Sequence, residues 1–78
     1  MEKTPMKQAF EDLKEKWGPF IARTEIRKAT GGAISEKRIA NLDSAGKGPA
    51  GRFKIGKKVC YPTDSLVAWL ESRAEVLN

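Results

Sequence analysis

The residues best equipped for chemistry sit in one run, Ser35-Glu36-Lys37-Arg38, continued at helical spacing by Asn41 and Ser44. Arg38 can donate two parallel hydrogen bonds to the edge of a guanine, and Asn41 can pair in the same two-pronged way with adenine. Ser35 is a helix-capping type. The turn it would begin presents free backbone N–H groups and the positive end of a helix dipole, both suited to phosphate. Glu36 works against an anion there, although it can also stabilise the dipole or accept from a cytosine amino group. A second group, Lys57 and Lys58 with Arg52 and Lys54 close by and Lys47 upstream, is purely cationic. Such residues contact a polyanion backbone and fix register without reading sequence.

Other chemistries find little support. The chain has no histidine, the commonest general base and metal ligand. Its one cysteine, Cys60, lies between Val59 and Tyr61 with no base nearby, so an inert strand residue is expected rather than a nucleophile. A single cysteine also excludes an intramolecular disulfide, in keeping with a reducing compartment. Gly46, Gly48 and Gly51 lack the spacing and the Lys-Ser/Thr ending of a phosphate-cradling loop, and turn chemistry accounts for them. No enzyme activity, metal, cofactor or small-molecule substrate is expected. Neither an apolar run of membrane-spanning length nor a basic-then-apolar leader is expected either.

The net charge of +5 over 78 residues is unevenly spread. Residues 1–18 carry four lysines and four acids. Residues 19–60 carry ten cations, among them Arg23, Arg27 and Lys28, against only Glu25, Glu36 and Asp43. Residues 61–78 are mildly acidic. A basic block between neutral and acidic ends suggests a face directed at a polyanion, or a lysine-rich solvated surface. Arg23, Arg27 and Lys28 are candidate phosphate contacts on the same terms.

These side chains need elements to position them. Thr4-Pro5 starts a helical stripe of Met6, Phe10, Leu13 and Trp17, ended by Gly18-Pro19. A short helix is expected from about Ala22 to Thr30, with Ile21, Ile26 and Ala29 as apolar contacts and Gly31-Gly32 as its breaker. Its start is open: Thr24 can cap, whereas Ala22 stands three residues before Glu25, where a capping box would want Ser or Thr. A third helix, Glu36 to about Ala45, is capped by Ser35 and stopped by Gly46, with Ile39 and Leu42 inward and Ile34 packing just before it. The period then changes to two. Phe53, Ile55, Val59 and Tyr61 predict a β-hairpin, and placing all four on one face requires a three-residue tip, Gly56-Lys57-Lys58. Thr63 can cap a last helix with Leu66, Trp69, Leu70 and Leu77 as its buried stripe. The expected architecture is mainly α with a small β-hairpin. It comprises an N-terminal amphipathic helix, residues 1–18, and a winged helix-turn-helix domain, residues 19–78.

Across residues 20–73 the chain resembles a known family. Ser35-Glu36-Lys37-Arg38-Ile39, then Gly46-Lys47-Gly48-Pro49, then Lys54-Ile55-Gly56-Lys57-Lys58-Val59-Cys60-Tyr61, then Asp64-Ser65-Leu66-Val67-Ala68-Trp69-Leu70 look like the small excisionase and AlpA-type regulators. These are winged-helix proteins related to the MerR-type DNA-binding domain and common in prophages and mobile elements. The resemblance implies a recognition helix at Glu36–Ser44, a phosphate-contacting wing at Gly56–Lys58 and a closing helix with Trp69 in the core. Asn41 stands where such proteins often carry Arg, Ala22 replaces the usual hydroxyl, and the stripe at residues 6–17 is an addition. The expected function is sequence-preferring binding of double-stranded DNA by a cytoplasmic, nucleoid-associated protein. It would act as an excisionase-like architectural factor or small transcriptional regulator, with an integrase or recombinase, or a second copy on adjacent sites, as further partner. The alternatives are a protein-interaction adaptor working through the N-terminal helix and the DNA-recognition subunit of a phage packaging complex. An RNA-binding domain is disfavoured on the expectation that Phe53 and Tyr61 both face inward and leave no aromatic platform.

Overall fold

Thr4 accepts a hydrogen bond from the Lys7 backbone N–H at 3.2 Å, and Pro5 follows it, so the first helix, α1 (Pro5–Trp17), starts where its cap dictates. A computed structural model describes residues 4–77. The outermost residues of the two expected segments, 1–3 and 78, therefore lie outside the described chain. After α1 come strand β1 (Phe20–Ala22), a turn of 3-10 helix (Arg23–Glu25), α2 (Ile26–Ala29) and α3 (Glu36–Ser44). A hairpin of β2 (Phe53–Ile55) and β3 (Lys58–Pro62) leads directly into α4 (Thr63–Arg73). The strands form one antiparallel sheet in the order β1-β3-β2.

Three expectations are corrected here. The single helix from Ala22 to Thr30 is instead a strand, a 3-10 turn and a four-residue helix. Ile21 is drawn into the sheet opposite Tyr61, and Ala22 has no side-chain oxygen to cap a helix start. Thr63 is not the cap of α4 but its first residue: Pro62 holds the cap position, and the Thr63 N–H donates to the Pro19 carbonyl at 3.0 Å. Finally, α4 stops at Arg73, so Leu77 is exposed. Val67 takes its place in the buried set because α1 covers a second side of the helix, with Val67 beside Phe10 and Lys14 in one groove.

The hairpin register is the largest correction. Ile55 pairs with Lys58, Lys54 with Val59 and Phe53 with Cys60, leaving a two-residue tip, Gly56-Lys57. Gly56 has φ +60° whereas Lys57 is not left-handed, the signature of a type II′ turn, whose twist matches that of the flanking strands. That turn outweighs the apolar alternation. Because the side-chain period is two, the shorter tip sends Phe53 and Ile55 to the outer face. Val59 and Tyr61 keep the inner one, opposite Lys54 and Ile21 respectively.

The core is small. Ile21, Ile26, Ile39, Tyr61 and Leu66, one each from β1, α2, α3, β3 and α4, are buried together, and Leu13 and Trp17 of α1 pack against them with Ile34, Val59, Trp69 and Leu70. α1 therefore closes the same core as the rest of the chain. Among the described residues, no helix is long and apolar enough to cross a membrane.

Candidate nucleic-acid interface

The turn that aims α3 is stapled by Thr30. Its hydroxyl donates to the Ile26 carbonyl at 2.8 Å and accepts from the Ile34 N–H at 3.2 Å, while Gly32 N–H returns to the Arg27 carbonyl at 2.7 Å. Ser35 then caps α3, accepting from Arg38 N–H at 3.0 Å, as its residue type requires. At the other end the Gly46 N–H donates to Asp43 and the Lys47 N–H to Leu42, a Schellman closure with Gly46 at φ +75°. The Lys47 carbonyl then accepts the Trp69 indole N–H at 2.8 Å. This bond ties the segment leaving α3 to α4 and leaves the Lys47 ammonium outside. Trp69 itself is half-buried against the core.

Ile39 and Asp43, one helical turn apart, point inward from α3 and are buried. Lys37, Asn41 and Ser44, spaced four and three residues apart, form the opposite stripe with Arg38 beside it, and all four are exposed. The hairpin tip comes close to the start of this helix. Lys57, Lys58, Val59, Glu36, Thr24 and Arg23 line one open cleft of about 300 Å³. The cations of the hairpin tip, the capped end of α3 and the 3-10 turn are thus brought together. Arg52 and Lys54 are exposed on the same hairpin, and Arg27 is exposed on α2. Lys28 lies elsewhere, in a groove between α1 and α2 with Leu13 and Trp17.

Arg23 is the sequence candidate with internal commitments. Its Nη2 donates to Asp43 Oδ2 at 2.7 Å and its Nε to Tyr61 Oη at 3.0 Å, and the Tyr61 hydroxyl in turn donates to the same Asp43 oxygen. The other Asp43 oxygen lies 3.9 Å from the Arg52 guanidinium. These bonds join the 3-10 turn, α3 and β3 around one carboxylate. Gly48 is shaped to the same group: a Cβ there would overlap Asp43 Oδ1 and stand 2.9 Å from its carboxyl carbon. Asp43 and Gly48 escaped the sequence reading. The signal was the position of Asp43 four residues after Ile39, on the inward side of the helix, where an acid needs an internal partner. Burying this pair leaves nine exposed cations and two exposed acids in residues 19–60, so the basic bias of the surface is undiminished.

Burial opposes the charge on Arg23, but its hydrogen bonds to Tyr61 and Asp43 outweigh that cost and raise its pKa. Burial, reinforced by donation to Asp43, pushes the Tyr61 hydroxyl up to about 12, from an ordinary value of about 10. A group whose pKa is raised by folding stabilises the fold fully below its unfolded value, and the contribution is lost as pH climbs through the folded one. Stability supplied by Tyr61 is therefore expected to hold up to about pH 10 and to fade towards pH 12. Because this is the sole tyrosine, the phenolate absorbance of the folded chain should titrate about two units above that of the chain in denaturant. Coincident midpoints would contradict the assignment.

The arrangement offers an exposed polar helix stripe on α3 and, beside the start of that helix, a cationic hairpin tip bordering an open cleft. Among the described residues, no cluster of three or more His, Cys, Asp or Glu could hold a metal ion. No family model, curated protein or solved structure matches the chain.

Proposed function

We propose that this chain is a winged helix-turn-helix module that binds double-stranded DNA, of the excisionase or AlpA kind that its sequence resembles. In this reading α2 and α3 are the two helices of the motif, α3 enters the major groove, and the β2–β3 hairpin lies along the backbone as the wing. The observation that carries the reading is the open cleft in which the Lys57–Lys58 tip meets Glu36 at the start of α3, the helix whose Lys37, Arg38, Asn41 and Ser44 are exposed. A groove-reading helix needs planar hydrogen-bonding side chains facing out, and phosphates on either side need cations at the flanks. Ser35 supports the role as a cap, since its oxygen is already an acceptor for Arg38 N–H. Lys47, Arg52, Lys54 and Arg27 extend the cationic surface. Arg23 serves as the internal anchor and not as a phosphate ligand.

One module of this size offers about 600–1,000 Å² of interface, which is modest for a specific site. We therefore place the protein on DNA beside a second copy or a recombinase, as an architectural factor or small regulator of a mobile element, in the cytoplasm on the nucleoid. The test is a titration of several duplexes at two or more salt concentrations. Lys57→Gln with Lys58→Gln should weaken all duplexes alike and reduce the slope of log affinity against log salt by about two. An unchanged slope would remove the hairpin from the interface, and no duplex binding by the full chain would remove the proposal.

A further inference from the structure

The corrected hairpin register leaves the sheet with an apolar outer face. Phe20, Phe53 and Ile55 are 43, 39 and 52% exposed, while Cys60 beneath them on the central strand is buried. The rings of Phe20 and Phe53 meet edge to face, with centroids 5.6 Å apart and planes at 71°. By register Phe53 stands opposite Cys60, Cys60 opposite Ala22, and Lys58 opposite Ile55, so all of these share one face. Lys58 shares this face and Lys57 stands at the tip, whereas Lys54 belongs to the other face, and residues 20–22 and 53–62 contain no acid.

Two features must be matched by whatever occupies this face. The rings offer π surfaces with no hydrogen-bonding group, and Lys58 on the same face has no carboxylate on the sheet to answer it, the acid that shares a cleft with it, Glu36, standing on α3. A purely apolar protein surface would satisfy the rings and strand the lysines. A duplex would satisfy the lysines but keeps its base faces stacked inside. A single nucleic-acid strand supplies both, a base for each ring and a phosphate for each nearby ammonium, which is how sequence-tolerant strand binders work.

We propose that the outer face of the sheet, where Phe20 and Phe53 meet beside Ile55 and Lys58, is a stacking platform for the unpaired bases of single-stranded DNA or RNA. The site meets the cleft between α3 and the hairpin tip at Lys58, which borders both, while Phe20 and Phe53 belong to the sheet face alone, so one chain holds a duplex-facing and a strand-facing surface. It also removes the argument against RNA that rested on an inward Phe53.

The experiment uses the full chain and short fluorescein-labelled oligo(dT), oligo(rU) and a mixed duplex, read by anisotropy. Phe53→Leu and, independently, Phe20→Leu keep an apolar side chain over Cys60 and delete the ring, and thermal melting verifies that each variant folds. Each should weaken both single strands by about fivefold or more while duplex affinity stays within about twofold. Equal affinity for the two oligomers assigns the binding to stacking alone, and a preference for oligo(rU) adds the 2′-hydroxyl; both outcomes support the platform. Lys57→Gln provides the reverse control, expected to affect the duplex. No single-strand binding, or binding that both leucine variants retain, overturns the inference and leaves the duplex proposal standing. Loss of duplex binding with Phe-dependent strand binding does the opposite. A dimer in sedimentation that Phe53→Leu dissociates would make the face a contact between copies and also overturn it.

Discussion

Replacing Asp43 with alanine is expected to cost about 3 kcal/mol, more than any surface substitution in the chain. The carboxylate is 6% exposed and receives Arg23 and Tyr61 on one oxygen, with Arg52 nearby on the other side. Its removal leaves the Tyr61 hydroxyl, on a residue with no exposure, without its acceptor. Arg23 retains partial access to water, which keeps the loss towards the lower end for a broken buried pair. For a domain of this length, whose total stability is on the order of 4–12 kcal/mol, that is a melting temperature lower by about 12–24 °C. Gly48→Ala should do similar harm for a steric reason, because the added methyl claims the space of Asp43 Oδ1. The two losses are therefore not independent. In Asp43→Ala/Gly48→Ala the second change should cost little, giving a coupling of about 1–3 kcal/mol in a denaturation cycle. Strict additivity would show that the close approach does not constrain the fold.

The second large effect concerns sequence preference. On duplexes chosen from a randomised pool by the wild-type chain, Arg38→Ala and Asn41→Ala should each lose about 5- to 150-fold on the preferred sequence. On unrelated duplexes they should lose much less. Two-pronged pairing to one base edge is what Arg and Asn geometry allows, and each such pair discriminates by about 1–3 kcal/mol. The hairpin lysines are expected to behave in the opposite manner, lowering all affinities and leaving the ranking of sequences intact. Uniform losses from both groups would reduce α3 to another backbone contact. Intact α3 geometry in these variants is expected, since neither side chain touches the core.

The sequence was most legible where structure is set locally. Thr4-Pro5, Ser35 and Gly46 act through bonds to residues within four positions, so the limits of α1 and α3 follow from them. β1 was missed because three residues become a strand only when Tyr61, forty positions later, offers its backbone. The outward turn of Phe53 and Ile55 was missed because apolar alternation was allowed to choose the register, whereas the conformation of Gly56 decides it. For the candidate site, the exposed positions of α3 and the tip lysines were readable from spacing. The engagement of Arg23 was not, since its partners lie 20 and 38 residues away.

The fit of Gly48 against Asp43 also has a bearing on how such a chain can diverge. A lineage that gains a side chain at position 48 must first shrink the acid at 43, whereas Tyr61 keeps its place in the core and its bond to Arg23 whichever residue stands there. Positions 43 and 48 should thus be inherited as a pair. When descendants of this sequence are gathered, substitutions at these two ought to arrive together or not at all, which makes the pair a sharper mark of kinship than the lysines on the surface.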